Sequence, residues 1–68
     1  MDMRKLVGRN VRAARAERGI TQEQLADVSG FSQQYISDLE RGRRNPTIVS
    51  LYELAQALSV TPIDLLQP

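Results

Sequence analysis

Hydrogen-bond donors line one side of the segment Ser32–Arg41. When this segment is projected as a helix at about 100° per residue, four polar residues fall on one outward arc, and Ile36 and Leu39 point to the opposite side. The four are Gln33, Gln34, Ser37 and Arg41. Each can donate a hydrogen bond and none is acidic. The alternative, an ordinary solvated face, would usually mix Glu and Lys at i,i+4, so the pattern favours a recognition surface.

The paired glutamines, Gln33 and Gln34, have the chemistry to read DNA bases. A side-chain amide presents a donor and an acceptor together, which matches N6 and N7 of adenine and also allows single contacts to other base edges. Asp38 lies at the rim of the arc. Its carboxylate could accept from N4 of cytosine, but repulsion from phosphates makes a solvent-facing position an equal alternative.

The basic residues fall into two clusters. The net charge is only +1, which by itself says nothing about nucleic acid. Six of the nine Lys and Arg residues lie in the first eighteen positions, and the other three, Arg41, Arg43 and Arg44, stand in the motif RGRR. A fold that brought the two clusters onto one face would give that face a positive potential.

Composition removes the usual tools of several functional classes. With 68 residues the chain is predicted to be a single domain, residues 1–68, with a small core. It has no cysteine and no histidine, which leaves Asp and Glu as the metal ligands available and removes the usual catalytic side chains without excluding catalysis. Because no constellation of residues supports either role, we expect no metal site, no cofactor and no enzymatic activity. The N-terminal stretch is charged, and no uncharged run approaches the ~20 residues of a membrane helix. We therefore expect a cytoplasmic protein with no membrane partner.

Capping signals divide the chain into five short helices with no strand. Thr21 and Gln24 form a capping box at the start of the second helix, and Ser32 caps the third. Thr61 and Pro62 are a cap and a first-turn proline, which predict a short fifth helix. Glycines are expected to end the first three helices, at Gly19, Gly30 and Gly42. The short connections predict a compact all-α domain.

Apolar residues at helical spacing predict the buried face of each helix. In the first helix they are Val7, Val11 and Ala14. In the second they are Leu25, Ala26 and Val28, and in the third they are Ile36 and Leu39. In the fourth they are Ile48, Leu51, Leu54, Ala55 and Leu58. Phe31 is also expected in the core.

Small residues predict how the second helix meets the third. Two helices joined by a turn of about four residues cross steeply when small residues lie where the backbones approach and where the turn takes a positive φ. Ala26 and Gly30 occupy these positions. This is the spacing of a helix-turn-helix, in which helices 2 and 3 form the motif and the second of them enters the major groove.

The run from Arg12 to Leu66 resembles a known family. Its most specific parts are Arg15 and the segments GITQEQLA, YISDLERGRRNP and LAQALSV. Together they are similar to the phage repressor and Cro type of helix-turn-helix transcriptional regulator, the lambda-repressor-like domains. The resemblance implies a five-helix, DNA-binding domain and covers nearly the whole chain.

The resemblance also implies roles for individual residues. Gln22 would bind a phosphate and buttress a glutamine of the third helix, with Gln33 as the expected partner. Ser32 would cap the helix and touch a phosphate or a base edge. The base-facing residues would be Gln33, Gln34, Ser37 and, at the rim, Asp38. The residues that grip the sugar-phosphate backbone would be Arg41, Arg43 and Arg44. Tyr35 would pack with its hydroxyl free for a phosphate.

Arg15 and Glu40 are expected to have a structural role. Each lies at the edge of the inward face of its helix. We therefore expect a partly buried ion pair that joins the first helix to the third.

Apolar residues near the C-terminus predict a dimer interface. The core stripe leaves Pro62, Ile63 and Leu66 without an inward place, and Val49 and Tyr52 could join them. No basic residue follows Arg44, so this end is not the expected DNA face. The alternative is a scatter of ordinary surface apolar residues. A two-fold dimer would set two recognition helices about 34 Å apart and require an inverted-repeat operator.

These patterns predict a sequence-specific transcriptional regulator that binds double-stranded operator DNA as a homodimer, with the third helix, about Ser32–Arg41, in the major groove. No small-molecule effector is implied. The alternative is a protein-interaction module of the same fold, of the antitoxin or coactivator type, which the donor-rich third helix disfavours. Because the chain stops at Pro68, we expect a small stand-alone regulator, similar to restriction-modification controllers, unless the chain is a trimmed piece of a longer protein.

Overall fold

Four α-helices and one 3₁₀ turn form the computed structural model, which describes residues 1–68. The helices are α1 (Met3–Glu17), α2 (Gln22–Ser29), α3 (Gln33–Glu40) and α4 (Ile48–Ala57), and the 3₁₀ turn spans Ile63–Leu66. The all-α prediction is confirmed. No helix combines the length and the apolar character needed to cross a membrane.

The predicted fifth helix is wrong, because residues 63–66 form only the 3₁₀ turn. Thr61 does act as a cap: its Oγ1 accepts from the Asp64 N–H at 3.2 Å, and Asp64 Oδ2 accepts from the Thr61 N–H at 3.0 Å. The side chain of Asn10 then donates to the carbonyl oxygens of Leu65 and Gln67, at 3.0 and 2.7 Å. The backbone bonds of the segment are of the i→i−3 type, from the Asp64 N–H to the Thr61 carbonyl at 3.0 Å and from the Leu65 N–H to the Pro62 carbonyl at 3.1 Å, so it forms a 3₁₀ turn.

The predicted capping signals of α2 and α3 are present. Thr21 Oγ1 accepts from the Gln24 N–H at 3.1 Å, and Gln24 Oε1 accepts from the Thr21 N–H at 2.8 Å. Ser32 Oγ accepts from the Tyr35 N–H at 3.0 Å. Gly30 ends α2 at a φ of +83°, which L side chains rarely adopt. These local contacts set the angle between the two helices.

All buried side chains of the core are apolar, and every helix contributes to it. Its members are Val7, Val11, Leu25, Ala26, Ile36, Leu39, Leu54, Ala55, Leu58 and Leu65. The prediction that Val28 and Ile48 belong to the core is wrong, because Val28 is 65% exposed and Ile48 is 87% exposed. Val28 lies about 110° from the middle of the buried face of α2 at 100° per residue. Ile48 is the first residue of α4, and its side chain leans back beyond the packed turns.

Helix α1 holds two other elements in place. It packs against α3 and, to the same extent, against the 3₁₀ turn, whereas α3 and that turn have no comparable contact. At Gly8 the backbones of α1 and α3 approach so closely that a Cβ would overlap the carbonyl oxygen of Leu39 and lie 3.0 Å from that of Glu40. Asn10 makes the contact with the 3₁₀ turn.

Candidate nucleic-acid interface

The outer face of α3 carries the polar residues that were predicted to face DNA. Ile36 and Leu39 are fully buried and fix the rotation of the helix about its axis. Of the predicted residues, Ser32, Gln33, Gln34 and Arg41 are exposed, whereas Ser37 and Asp38 are half-buried. The helix therefore presents these side chains together on one side.

The two glutamines of α3 differ in their surroundings. Gln34 Nε2 donates to Asp38 Oδ1 at 3.0 Å, so the amide is held one helical turn from the carboxylate. Gln33 has no hydrogen-bond partner in the protein. Its amide is free to turn toward a ligand. The amide of Gln34 is already oriented, and it takes up one carboxylate oxygen of Asp38, the acid at the rim.

The expected contact between Gln22 and Gln33 is absent. Gln22 Nε2 instead donates to Glu40 Oε1 at 3.1 Å. Gln22 does line the same open polar groove as the α3 residues Gln33, Gln34 and Ser37. The side chain is thus at the predicted surface, but the acid of α3 orients it, because a carboxylate is a stronger acceptor than an amide.

Glu40 is the centre of a network that joins three helices. Arg15 Nε donates to Glu40 Oε2 at 2.7 Å and Arg15 Nη2 donates to Oε1 at 3.0 Å, which is a bidentate pair. A third donor of Arg15, Nη1, reaches the carbonyl oxygen of Ile20 at 2.9 Å. The hydrogen bond to Glu40 raises the pKa of Arg15, so the guanidinium keeps its charge at all but strongly alkaline pH.

An aromatic stack lies beside the exposed arginines. Phe31 and Tyr35 are stacked with ring centroids 4.6 Å apart and an interplanar angle of 16°. The guanidinium carbon of Arg44 lies 4.9 Å from the Tyr35 centroid, over the ring. Phe31 is half-buried, and it also packs against the core. Arg44 is therefore held by an aromatic face and not by an acid.

The arginines that follow α3 carry uncompensated charge. Arg41, Arg43 and Arg44 are exposed, and the ion pairs of the protein lie elsewhere, at Asp2–Arg4 and Arg15–Glu40. The side chain of Lys5 packs close to Gly42, where a Cβ would lie 2.7 Å from Lys5 Cγ. The fold thus brings a cation of the N-terminal cluster beside the RGRR motif.

The residues predicted to form a dimer interface lie near the C-terminus, in the 3₁₀ turn and immediately before it. Ile63 is 66% exposed, Leu66 is 40% exposed, and Pro62 is half-buried. Val49 and Tyr52 of α4 are also exposed. These side chains are open to a partner.

Three features of the site were missed by sequence reasoning. They are the close approach at Gly8, the Asn10 contacts to the C-terminal carbonyls, and the placement of Arg44 over Tyr35. A glycine within an apolar helical stripe was the available signal for the first. The other two join residues that are distant in sequence, and no local pattern marks them.

Comparison with known proteins identifies the same architecture. Residues 11–65 match the family described as Helix-turn-helix. The chain is 63% identical over its full length to the uncharacterized HTH-type transcriptional regulator y4dJ of Sinorhizobium fredii, of which it covers 88%. It is 41% identical to the control protein C.SmaI of Serratia marcescens, over 97% of this chain and 79% of that protein.

A solved structure extends the comparison to a DNA complex. The chain superposes with a TM-score of 0.87 and 35% identity on the restriction-modification controller protein C.Esp1396I, solved as a tetramer in complex with its natural 35 base-pair operator. The match covers 96% of this chain and 86% of that one.

The short α2, the glycine turn and the donor-bearing α3 define a helix-turn-helix domain. The chain belongs to the helix-turn-helix family of transcriptional regulators.

Proposed function

We propose that the protein binds an inverted-repeat operator in double-stranded DNA as a homodimer, with α3 in the major groove, and regulates transcription from that site. The observation that carries this proposal is the outer face of α3, where Gln33 has no partner within the protein and the acid at the rim, Asp38, is already hydrogen-bonded to Gln34. A face of free donors suits base edges, which lie between two rows of phosphates.

The residues around α3 have the chemistry to fix its position on the duplex. Phosphate contacts set register and orientation, whereas base contacts specify sequence. In this proposal Arg41, Arg43 and Arg44 bind phosphates on one side of the groove. Ser32 and Gln22 do so on the other, and Gln22 retains a second amide hydrogen beyond the one donated to Glu40.

The dimer follows from the exposed apolar residues of the C-terminal part. Ile63, Leu66 and Pro62 would pack against their symmetry copies, with Val49 and Tyr52 at the edge. A two-fold arrangement would present two α3 helices to successive major grooves about 34 Å apart. The operator complex of C.Esp1396I supports DNA as the partner of this domain.

The experiment is selection of a preferred site from random DNA, followed by comparison of Gln33→Ala with Gln56→Ala. Gln56 is an exposed amide on α4, hydrogen-bonded only to the Tyr52 hydroxyl at 2.8 Å, and serves as the matched control. We expect Gln33→Ala to cost about 1–3 kcal/mol on the preferred site and little on random DNA. Gln56→Ala should leave the ratio of the two affinities unchanged.

Two outcomes would argue against this function. Equal loss on preferred and random DNA would show that Gln33 does not read bases. A parent protein that enriches no DNA sequence would instead favour the protein-interaction module, and its partner would then be sought at the apolar C-terminal surface.

A further inference from the structure

The ring of Tyr35 lies beneath the guanidinium of Arg44, and the roles given above to the base-facing residues do not account for this contact. Arg44 is exposed and has no hydrogen bond and no ion pair in the protein. A free arginine side chain has many rotamers, and their restriction on binding costs free energy. Here one contact restricts it, since the guanidinium lies 4.9 Å from the Tyr35 ring centroid.

The ring itself is held firmly enough to act as a support. Tyr35 is half-buried, is stacked on Phe31 at 4.6 Å, and belongs to the side chains packed against the core. Its backbone N–H is bonded to the cap residue Ser32, so the residue is anchored at the first turn of α3. The support is therefore rigid with respect to the helix proposed to read bases.

We propose that Tyr35 is a positioning residue for Arg44, in that its ring holds the guanidinium flat and preorganised for a phosphate of the DNA backbone. A guanidinium that lies flat on an aromatic face directs its N–H groups outward, parallel to the ring. These groups remain free to donate, so stacking and phosphate binding are compatible. This inference rests on the proposed DNA binding and assigns to the ring, not to the hydroxyl, the main contribution of Tyr35.

The test separates the ring from the hydroxyl and from the charge. Tyr35→Phe keeps the ring, whereas Tyr35→Leu replaces it with an apolar side chain that still fills the edge of the core. Arg44→Lys keeps the charge but loses the planar group that stacks. Arg43→Lys is the matched control, because Arg43 is an exposed neighbour without an aromatic contact.

We expect Tyr35→Leu to weaken DNA binding about two- to fivefold for each subunit, on preferred and random sequences alike, as a cation–π contact at an exposed site predicts. Tyr35→Phe, which keeps the ring, should lose clearly less affinity than Tyr35→Leu. Arg44→Lys should weaken binding more than Arg43→Lys in the parent, and this difference should vanish in the Tyr35→Leu background. In the free protein, the side-chain proton resonances of Arg44 should be shifted upfield in the parent and in Tyr35→Phe, but not in Tyr35→Leu.

Two results would overturn the inference while leaving the proposed function intact. One is equal loss for Tyr35→Phe and Tyr35→Leu, which would assign the contact to the hydroxyl. The other is an Arg44→Lys effect of the same size in both backgrounds, which would show that ring and guanidinium act independently. A parent protein that binds no DNA would overturn the proposed function and this inference together.

Discussion

At the scale of single residues, Glu40 is the side chain that joins α3 to both α1 and α2. Its side chain is 4% exposed and accepts hydrogen bonds from Arg15 of α1 and Gln22 of α2. Removing the carboxylate would leave the guanidinium of Arg15, whose side chain is only 17% exposed, without its counter-charge. The cost of such a change includes the burial of an unpaired charge and exceeds the value of the pair itself.

We therefore expect Glu40→Ala to lower the free energy of unfolding by about 3 kcal/mol. For a domain of this size, that loss corresponds to a fall in Tm of roughly 12–24 °C. Urea titration and thermal melting followed by circular dichroism would measure both quantities. Glu23→Ala is the control, because Glu23 is an exposed acid in the first turn of α2. Equal, small losses for both variants would mean that the Arg15–Glu40 pair adds nothing to stability.

At the scale of elements, the packing of α1 on α3 depends on the absence of one side chain. Replacing a glycine by alanine within an exposed helix stabilises that helix by about 1 kcal/mol. At Gly8 the added methyl group would overlap the Leu39 carbonyl oxygen and force the helices apart. We expect Gly8→Ala to destabilise the protein by about 1–3 kcal/mol in spite of its better helix propensity.

Ala13→Gly measures the propensity effect separately, since Ala13 is an exposed residue in the interior of the same helix. It should cost about 0.8–1.0 kcal/mol. Denaturant unfolding of the two variants would decide the matter, and an increase in stability for Gly8→Ala would refute the close approach of α1 and α3.

The elements differ in how much of them local sequence determines. The starts of α2 and α3 were predictable because Thr21, Gln24 and Ser32 bond to groups within three residues. The exposure of Ile48 was not, since it depends on where the neighbouring elements stop. The contacts that tie the 3₁₀ turn to α1 were not predictable either, because Asn10 lies more than fifty residues away from the carbonyls that it binds.

The same division applies to the candidate site. The polar face of α3 follows from helical periodicity once Ile36 and Leu39 are taken as buried, so sequence alone indicated Gln33, Gln34, Ser37 and Arg41. The orientation of Gln22 and of Arg44 depends on partners in other segments, at Glu40 and Tyr35. Periodicity identifies which residues face outward, but only tertiary contacts determine how their polar atoms are directed.

At the scale of the whole molecule, the exposed apolar residues of the 3₁₀ turn bear on the proposed dimer. A glutamate at the centre of a two-fold interface would be desolvated next to its own symmetry copy. We expect Ile63→Glu to give a folded monomer with greatly weakened operator binding. Sedimentation equilibrium measures the association, and circular dichroism confirms the fold.

Val28→Glu is the matched control, because Val28 is 65% exposed and Ile63 is 66% exposed, yet Val28 lies on α2. It should leave self-association unchanged. An Ile63→Glu variant that remains dimeric would exclude the 3₁₀ turn as the interface, and loss of association in both variants would point to a general effect of added charge.

The two contacts of α1 have a consequence for how such a regulator could change its target. In a dimer joined through the 3₁₀ turn, α1 would pack against both the dimer interface, through Asn10, and the helix proposed to read bases, at Gly8. The separation of the two half-sites then depends on α1, while the bases within each half-site depend on α3. The length of the spacer and the sequence of the half-sites would therefore be determined by different residues. The two properties could diverge independently among related regulators.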